Sequence, residues 1–325
     1  MRAPRGLPDG LGNVFPVSEA LAAGVSRERL SRSDLRTPFH GVRARHLHEH
    51  GEESDDPFEA QAEQSRRRAR EYAPRLRPGQ FFSHETAAAL WRAPLPLTRI
   101  GPRLTTGEEI PVHVSVLGAA ALVRTRGVAA HRARAATSAV TVIDGMPATT
   151  AASTWASLGG LALLDLVALG DYFCRAWRPG PGRPNAGMPS IATPDELRIA
   201  VDSGRRVGIR RLRQAIELIR TDSWSPRESA VRCHLVLAGL PEPELNHDVY
   251  DGAGRFLACV DLAYPERKVA IEYHGMLHRD RYAADVERIA ALRAAGWIVI
   301  EVTAALFRTP DELVARVRAA LRARS

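Results

Sequence analysis

Two acidic residues sit inside apolar runs late in the chain. Asp261 interrupts Val260-Asp261-Leu262-Ala263-Tyr264, and Glu272 interrupts Val269-Ala270-Ile271-Glu272-Tyr273, with His274 and His278 close behind. A carboxylate placed in an apolar strand costs several kcal/mol unless something compensates it. Where two such carboxylates converge, a bound hard cation is the usual compensation. Side chains alternate along a strand, so Glu272 and His274 share one face while Ile271 and Tyr273 take the other. The set suits Mg²⁺, or Mn²⁺, held beside a phosphodiester by Asp261 and Glu272, with a histidine to move a proton. That is the chemistry of a nuclease.

The elements that must carry these residues are legible in the flanking sequence. Ser225-Pro226-Arg227-Glu228 opens a helix with a capping serine, a proline at the first helical position and an acid in the first turn. The helix runs to about Ala238 and stops at Gly239. Leu245 to Tyr250 and Arg255 to Tyr264 flank the turn Asp251-Gly252-Ala253-Gly254, which reads as a hairpin. A strand from Lys268 to His274, a helix from Tyr282 to Ala295, a strand from Trp297 to Val302 and an amphipathic helix from Pro310 to Arg322 complete the order α-β-β-β-α-β-α. Glu228 either caps its own helix or also reaches the metal through water. Asp261 either ligates the metal or pairs with a neighbouring arginine. Asp285 and Arg288 read as an intrahelical pair.

Upstream, residues 1–13 are rich in Gly and Pro and are expected to be disordered. Ser18 to Ala23 predicts a short helix, Gly24 a turn, and Arg27 to Leu35 a second helix capped by Ser26. A basic strand over Gly41 to Arg45 follows, an order that suits a winged helix-turn-helix over 14–50. The stretch from Pro57 to Tyr72, with Arg66, Arg67, Arg68 and Arg70, predicts a helix with a solvated basic face. A helix over 81–92, strands at Val112 to Leu117 and Val140 to Ile143, and a helical region from Thr149 to Phe173 describe a mixed α/β middle domain over 58–178. The run Pro179-Gly180-Pro181-Gly182-Arg183-Pro184 marks a linker, 179–194, before a final domain over 195–325. Helical segments are expected from Pro194 and over Arg205 to Ile219. The run His46-Leu47-His48-Glu49-His50 reads as an exposed polar turn.

At 325 residues the chain has room for two or three domains with full cores. A net charge of +8 favours a polyanionic partner, although Lys268 is the sole lysine and part of the arginine excess reflects compositional bias. Arg27, Arg29, Arg43 and Arg45 in the N-terminal segment, and Arg210, Arg211 and Arg213 further on, are the candidate phosphate contacts. No apolar run approaches the roughly 20 residues of a membrane span, and no signal-peptide core opens the chain. Cys174, Cys233 and Cys259 are odd in number and widely spaced. They read as buried thiols of a cytoplasmic protein, without a disulfide framework or a zinc site.

The order of elements, with Asp on the second strand and Glu on the third, resembles the PD-(D/E)xK restriction-endonuclease-like fold. Residues 225–320 are similar to the very-short-patch-repair-type endonuclease domains of actinobacterial proteins. The resemblance rests on SPRES at 225–229, GLPEPELNHDVYD from Gly239, VDLAYPE at 260–266, VAIEYHG at 269–275, His278, and AAGWIVIEVT at 294–303. It implies that Asp261 is the metal-binding aspartate and that His274 and His278 match the catalytic histidines. Two departures stand out: His274 replaces the lysine of E-x-K, and no Cys/His set matches the structural zinc of the repair enzymes. The segment FPVSEALAAGVSRERLSRSDLRTPFHGVRAR resembles the winged-helix domain of antitoxins from type IV abortive-infection toxin–antitoxin systems. Residues 80–173 loosely resemble the domain that follows it there, through SHETAAAL, VHVSV and GMPATTAASTWASL, but lack the Arg-Thr and Asp-Leu pairs common near the last stretch. Together these readings imply an α/β multi-domain, DNA-directed, metal-dependent phosphodiesterase. The alternative is a non-catalytic antitoxin or transcriptional regulator that keeps a nuclease-like scaffold. Neither reading fixes the oligomeric state or a toxin partner.

Overall fold

The computed structural model describes residues 6–46, 54–105, 107–274 and 282–324, and for residues 108 and 282–284 the backbone alone. The chain divides into two compact α/β units, one of residues 1–160 and 199–207, the other of residues 161–198 and 208–325.

The first unit begins with β1 (Val14–Pro16), α1 (Val17–Ala22), α2 (Arg27–Leu30), β2 (Leu35–Arg36) and β3 (Val42–Arg45), the strands pairing in the order β1-β3-β2. Residues 6–13, expected to be disordered, instead deliver Leu7 and Leu11 to a small core with Phe15, Ala20, Val25, Leu30 and Leu35. Burial of two leucines offsets the chain entropy that the Gly and Pro content suggested would win. The second helix is also shorter than expected, ending at Leu30. The Ser31 hydroxyl donates to the Glu28 carbonyl at 2.9 Å, and Arg29 holds Asp34 through bonds of 3.0 and 2.7 Å. These local side-chain bonds turn the backbone out of the helix.

The rest of this unit comprises α3 (Pro57–Tyr72), β4 (Gln80–Phe82), α4 (His84–Leu90), β5 (Arg99–Ile100), β6 (Arg103–Leu104), β7 (Val112–Leu117), β8 (Val128–Ala133), β9 (Val140–Ile143), β10 (Met146–Thr149) and α5 (Ala151–Ser157). Five strands form one sheet in the order β8-β7-β4-β10-β9. Phe81 and Phe82, expected to be helical, are buried in β4, where Phe82 pairs with Val114. The basic face expected on α3 is partly wrong. Arg68 is buried, donates its Nε to the Ile110 carbonyl at 2.7 Å and lies 4.9 Å from the Phe39 ring centre.

The second unit contains α6 (Leu163–Phe173), α8 (Ile209–Leu218), α9 (Pro226–Leu237), β11 (Glu244–Tyr250), β12 (Phe256–Tyr264), β13 (Val269–Tyr273), α10 (Tyr282–Ala294), β14 (Ile298–Val302), α11 (Ala304–Phe307) and α12 (Pro310–Arg322); α7 (Pro194–Asp202) runs through one of the points of division. Helix α8 begins four residues later than Arg205 suggested, because Gly208 at φ 66° takes a left-handed conformation that breaks the turn before it. The expected linker is not a free tether. The Arg183 side chain, only 2 % exposed, reaches Asp248 at 2.6 Å and the Asn246 carbonyl at 2.8 Å.

Four strands form the sheet β11-β12-β13-β14, antiparallel except for the parallel β13–β14 pair. Leu262, Tyr264, Val269, Ile271, Ile300 and Val302 pack with Val231 and Leu235 of α9 and with Leu313 and Val317 of α12. Ala263, Ala270 and Trp297 pack with Leu292 of α10. A buried polar knot ties α6 to α9. The Asp171 carboxylate accepts from Ser229 Oγ and the Arg220 N–H, both at 2.7 Å, and faces fully buried Arg232 at 3.4 Å. Arg232 also donates to Glu242 at 2.8 Å. Burial pushes Asp171 up to about 6 despite that neighbour.

Removing Arg232 would strand Asp171 in the interior. We predict that Arg232→Met destabilises this unit by about 3–5 kcal/mol, and that adding Asp171→Asn recovers much of the loss. Urea unfolding at neutral pH is the measurement, and a change below about 1 kcal/mol would mean that the knot carries little of the α6–α9 packing.

Candidate active site

Asp261 lies where two strands part. The ladder between β12 and β13 ends at Leu262↔Ile271. Beyond it the Asp261 carboxylate accepts the Tyr273 N–H at 2.8 Å, so a side chain replaces the missing backbone partner. On its other edge β13 continues beside β14, with Glu272 opposite Glu301 and Tyr273 opposite Val302. Ala270 packs with Leu292 of α10, and alternation puts Glu272 and His274 on that same face. Arg288 of α10 meets Glu272 there at 2.8 Å, while its other nitrogen holds Asp285 at 3.3 Å. The intrahelical pair read from the sequence is therefore half of a three-membered bridge.

Glu228 arrives from the sheet's other face. It is the third residue of α9, where Ser225 Oγ accepts the Glu228 N–H at 3.2 Å. Its own carboxylate reaches back to accept the Trp224 N–H at 2.9 Å, a reciprocal cap. The same oxygen accepts Nδ2 of Asn246 at 3.0 Å, and Asn246 also donates to the Asp222 carbonyl at 2.6 Å. Asn246 holds φ 47°, a left-handed conformation that asparagine tolerates better than most residues.

The three acids share one electrostatic environment. Burial, then the charges of Glu272 and Glu228, push the Asp261 carboxyl well above the usual carboxylate range. Burial raises Glu272 although Arg288 opposes it, and Glu228 adds to the rise. Burial raises Glu228 in spite of the donors that cap it. All the donors are hard oxygens, the chemistry that Mg²⁺ or Mn²⁺ takes. The oxygens are gathered by a common field rather than closed to ligand spacing. Among the described residues, the three side chains whose donor atoms all lie within 4.8 Å of one another are His84, His113 and His131.

His274 stands at the rim. Its N–H donates to the Val302 carbonyl at 3.0 Å, and its Nε2 faces Glu301 at 3.5 Å. That nitrogen is buried and has no hydrogen-bond partner among the described residues. Glu301 is shared with Arg293 at 2.6 Å. His278 lies outside the described residues, as do His48 and His50 of the polar run. Of the arginines expected to grip phosphate, Arg29 is bound to Asp34, Arg43 donates to the Leu30 and Val42 carbonyls at 2.7 and 3.0 Å, and Arg45 reaches the Leu11 carbonyl at 3.4 Å. Arg27 is exposed at the start of α2. On α8, Arg210, Arg211 and Arg213 are all exposed, and Arg211 donates to the Leu161 carbonyl at 2.7 Å. Cys174 and Cys233 are buried as expected, their thiols pushed up by burial to about 12 and about 11. Cys259 is half-buried and accepts from Arg183 at 3.4 Å.

Asn246, Arg288 and Glu301 join the site without a sequence motif that marks them. Asn246 carried a faint signal as an amide within a strand, where asparagine is depleted. Arg288 and Glu301 carried none, since only the parallel register and the packing of α10 bring them in.

No family model matches the chain, and no solved structure matches it. Uncharacterized proteins from two strains of Mycobacterium tuberculosis are each 32% identical to it over 126 residues, which is 38% of this chain and 46% of the relative. The matched stretch thus spans less than half of either relative's length. Among the described residues, no helix is long and apolar enough to cross a membrane.

A carboxyl with a raised folded value binds its proton more tightly in the folded chain than in the unfolded one. Its contribution to stability therefore falls as pH rises from the unfolded value, about 4, through the raised one. Asp261→Asn keeps an acceptor for the Tyr273 N–H and removes the charge. Without divalent cations it should raise the melting temperature near neutral pH by a few degrees, roughly 2–4 °C per kcal/mol relieved. The gain should shrink near pH 4. Equal melting temperatures for parent and variant at both pH values would count against a repulsive cluster.

Proposed function

We propose that the second unit is a DNA-directed, metal-dependent phosphodiesterase. The observation that carries the reading is the convergence of Glu228, Asp261 and Glu272 from a helix and two strands into one buried acidic set, in which the charges of Glu228 and Glu272 bear on Asp261. Such an arrangement is costly in an apo fold and becomes favourable when a cation neutralises it. Asp261 and Glu272 would hold Mg²⁺ or Mn²⁺, which when bound supplies Lewis-acid polarisation of a phosphate oxygen and a more acidic water. Glu228, kept rigid by Trp224 and Asn246, would orient water beside that pair. His274 offers a ring nitrogen, without a hydrogen-bond partner among the described residues, to accept a proton, and Glu301 lies 3.5 Å from it. The endonuclease-like fold expected for 195–325 and the winged helix expected for 14–50 are part of the same proposal. In it Arg27 of α2 and the exposed arginines of α8 meet the phosphate backbone.

A second reading has one observation in its favour. The Arg288 guanidinium already neutralises Glu272 at 2.8 Å, as a built-in cation would in a scaffold that no longer cuts. In that case the protein is a DNA-binding regulator of antitoxin type.

A plasmid and oligonucleotide cleavage assay separates the two. The parent should cut in Mg²⁺ or Mn²⁺ and not in chelator, and Asp261→Ala should not cut at all. His274→Ala should lose about 10²- to 10⁴-fold in rate, the usual cost of a general base. No cleavage by the parent in either metal, with DNA binding retained, would favour the regulator. A parental rate for Asp261→Ala would remove the site assignment.

DNA binding has its own test. Arg27→Ala should weaken affinity across sequences and lower the slope of log K against log salt by about 1. Fluorescence anisotropy at several salt concentrations reads this directly, and an unchanged slope would take Arg27 out of the interface.

A further inference from the structure

Three histidines of the first unit meet at the end of its five-stranded sheet. His113 lies on β7 and His131 on the parallel strand β8, where Ser115 is opposite His131 and His113 is opposite Ala129. Residues two apart on a strand share a face, so His131 comes diagonally beside His113. Their Nδ1 and Nε2 atoms approach to 3.0 Å. His84, first residue of α4, stacks on the His131 ring with centroids 3.8 Å apart. Its backbone sits at φ 51°, a conformation that side-chain-bearing residues seldom hold without a reason in their surroundings.

The surroundings orient the rings as they would ligands. His84 Nδ1 contacts Ser83 Oγ at 2.9 Å, and Ser83 Oγ accepts from buried Ser115 at 2.7 Å. That chain fixes the His84 ring and leaves its Nε2 for another partner, as a hydrogen bond to the far ring nitrogen does for metal-binding histidines. Glu85, next along α4, brings Oε2 to 3.2 Å from His113 Nδ1. This oxygen is buried and has no hydrogen-bond partner among the described residues. All three histidines are half-buried, so an ion can reach them.

We propose that His84, His113 and His131, whose donor atoms all lie within 4.8 Å of one another, form a binding site for a zinc-class divalent transition metal, with Glu85, now beside His113 alone, moving in as the fourth ligand. Three imidazoles and a carboxylate are the donor set of borderline cations, and differ in kind from the all-oxygen set at Asp261. Ligands about 2.0–2.1 Å from a tetrahedral zinc lie about 3.3 Å apart, so the 3.0 Å approach of His113 and His131 needs only a slight opening. Burial first, then the neighbouring His131 and His113 and the charge of Arg206, hold His84 down at about 3. Burial likewise lowers His113, opposed by Glu85, and lowers His131.

The test uses the full chain, stripped with chelator and dialysed. Calorimetric titration with Zn²⁺ should show tight uptake of one ion per chain, and Co²⁺ should give the intense visible absorption of a four-coordinate nitrogen-rich site. His113→Ala and His131→Ala should each weaken Zn²⁺ binding by at least the 10- to 100-fold that changes beyond the ligands already cost. Asp261→Asn should leave the uptake intact, which separates this site from the carboxylate cluster. Absence of tight Zn²⁺ uptake by the parent would overturn the proposal, as would parental affinity in both histidine variants or loss of uptake in Asp261→Asn. Should a histidine variant fail to fold by circular dichroism, the Co²⁺ spectrum of the parent decides, and the weak spectrum of a six-coordinate ion would overturn the site.

Discussion

Like charges held together out of water are the constraint around which the second unit is arranged. Glu272 and Glu228 raise the proton affinity of Asp261, Glu228 also raises that of Glu272, and an unfolded chain would separate them at once. The fold prevents this with directional bonds that each fix one carboxylate. The Trp224 N–H and the Asn246 amide hold Glu228, the Tyr273 N–H holds Asp261, and Arg288 holds Glu272. The apolar packing of β12–β14 against α9 and α12 offsets the repulsion that remains. Sites that bind cations commonly carry such strain in the apo state, because the energy returns when the ion arrives.

The two units hold donors of opposite character. Carboxylates in the second unit offer hard oxygen atoms, whereas histidines in the first offer nitrogens of intermediate softness. Burial bears on both sets, in opposite directions. Burial makes the carboxyls better proton acceptors and the imidazoles poorer ones.

Arginine explains why the net charge of +8 overstates the surface available to a polyanion. Arg43, Arg45, Arg68, Arg183 and Arg232 donate inward to carbonyls or acids of the chain itself. A guanidinium has five donors and stays charged when buried, so it serves as a bracket for loops that lack secondary-structure partners. The stretch around Arg183, which reads as a linker from its glycines and prolines, is anchored in this way.

Local pattern by itself determined much of the second unit. The cap at Ser225, the hairpin turn at Asp251-Gly252, the alternation that puts Glu272 and His274 on one face, and the order of helices and strands all follow from near neighbours in sequence. The short reach of these signals also explains where the reading failed. Leu7 and Leu11 looked like part of a loose tail because their partners are Phe15 and Leu35, and α2 ended early because of a bond between Arg29 and Asp34 that no periodicity announces. Tertiary structure alone decided that β12 and β13 part at Asp261, that Glu228 crosses to the same point from α9, and that Arg288 and Glu301 join Glu272. It alone brought together His84, His113 and His131, whose spacing matches no ligand motif. Strand register and helix packing place such residues, and both are set by summed burial over whole elements, which spacing along the chain does not encode.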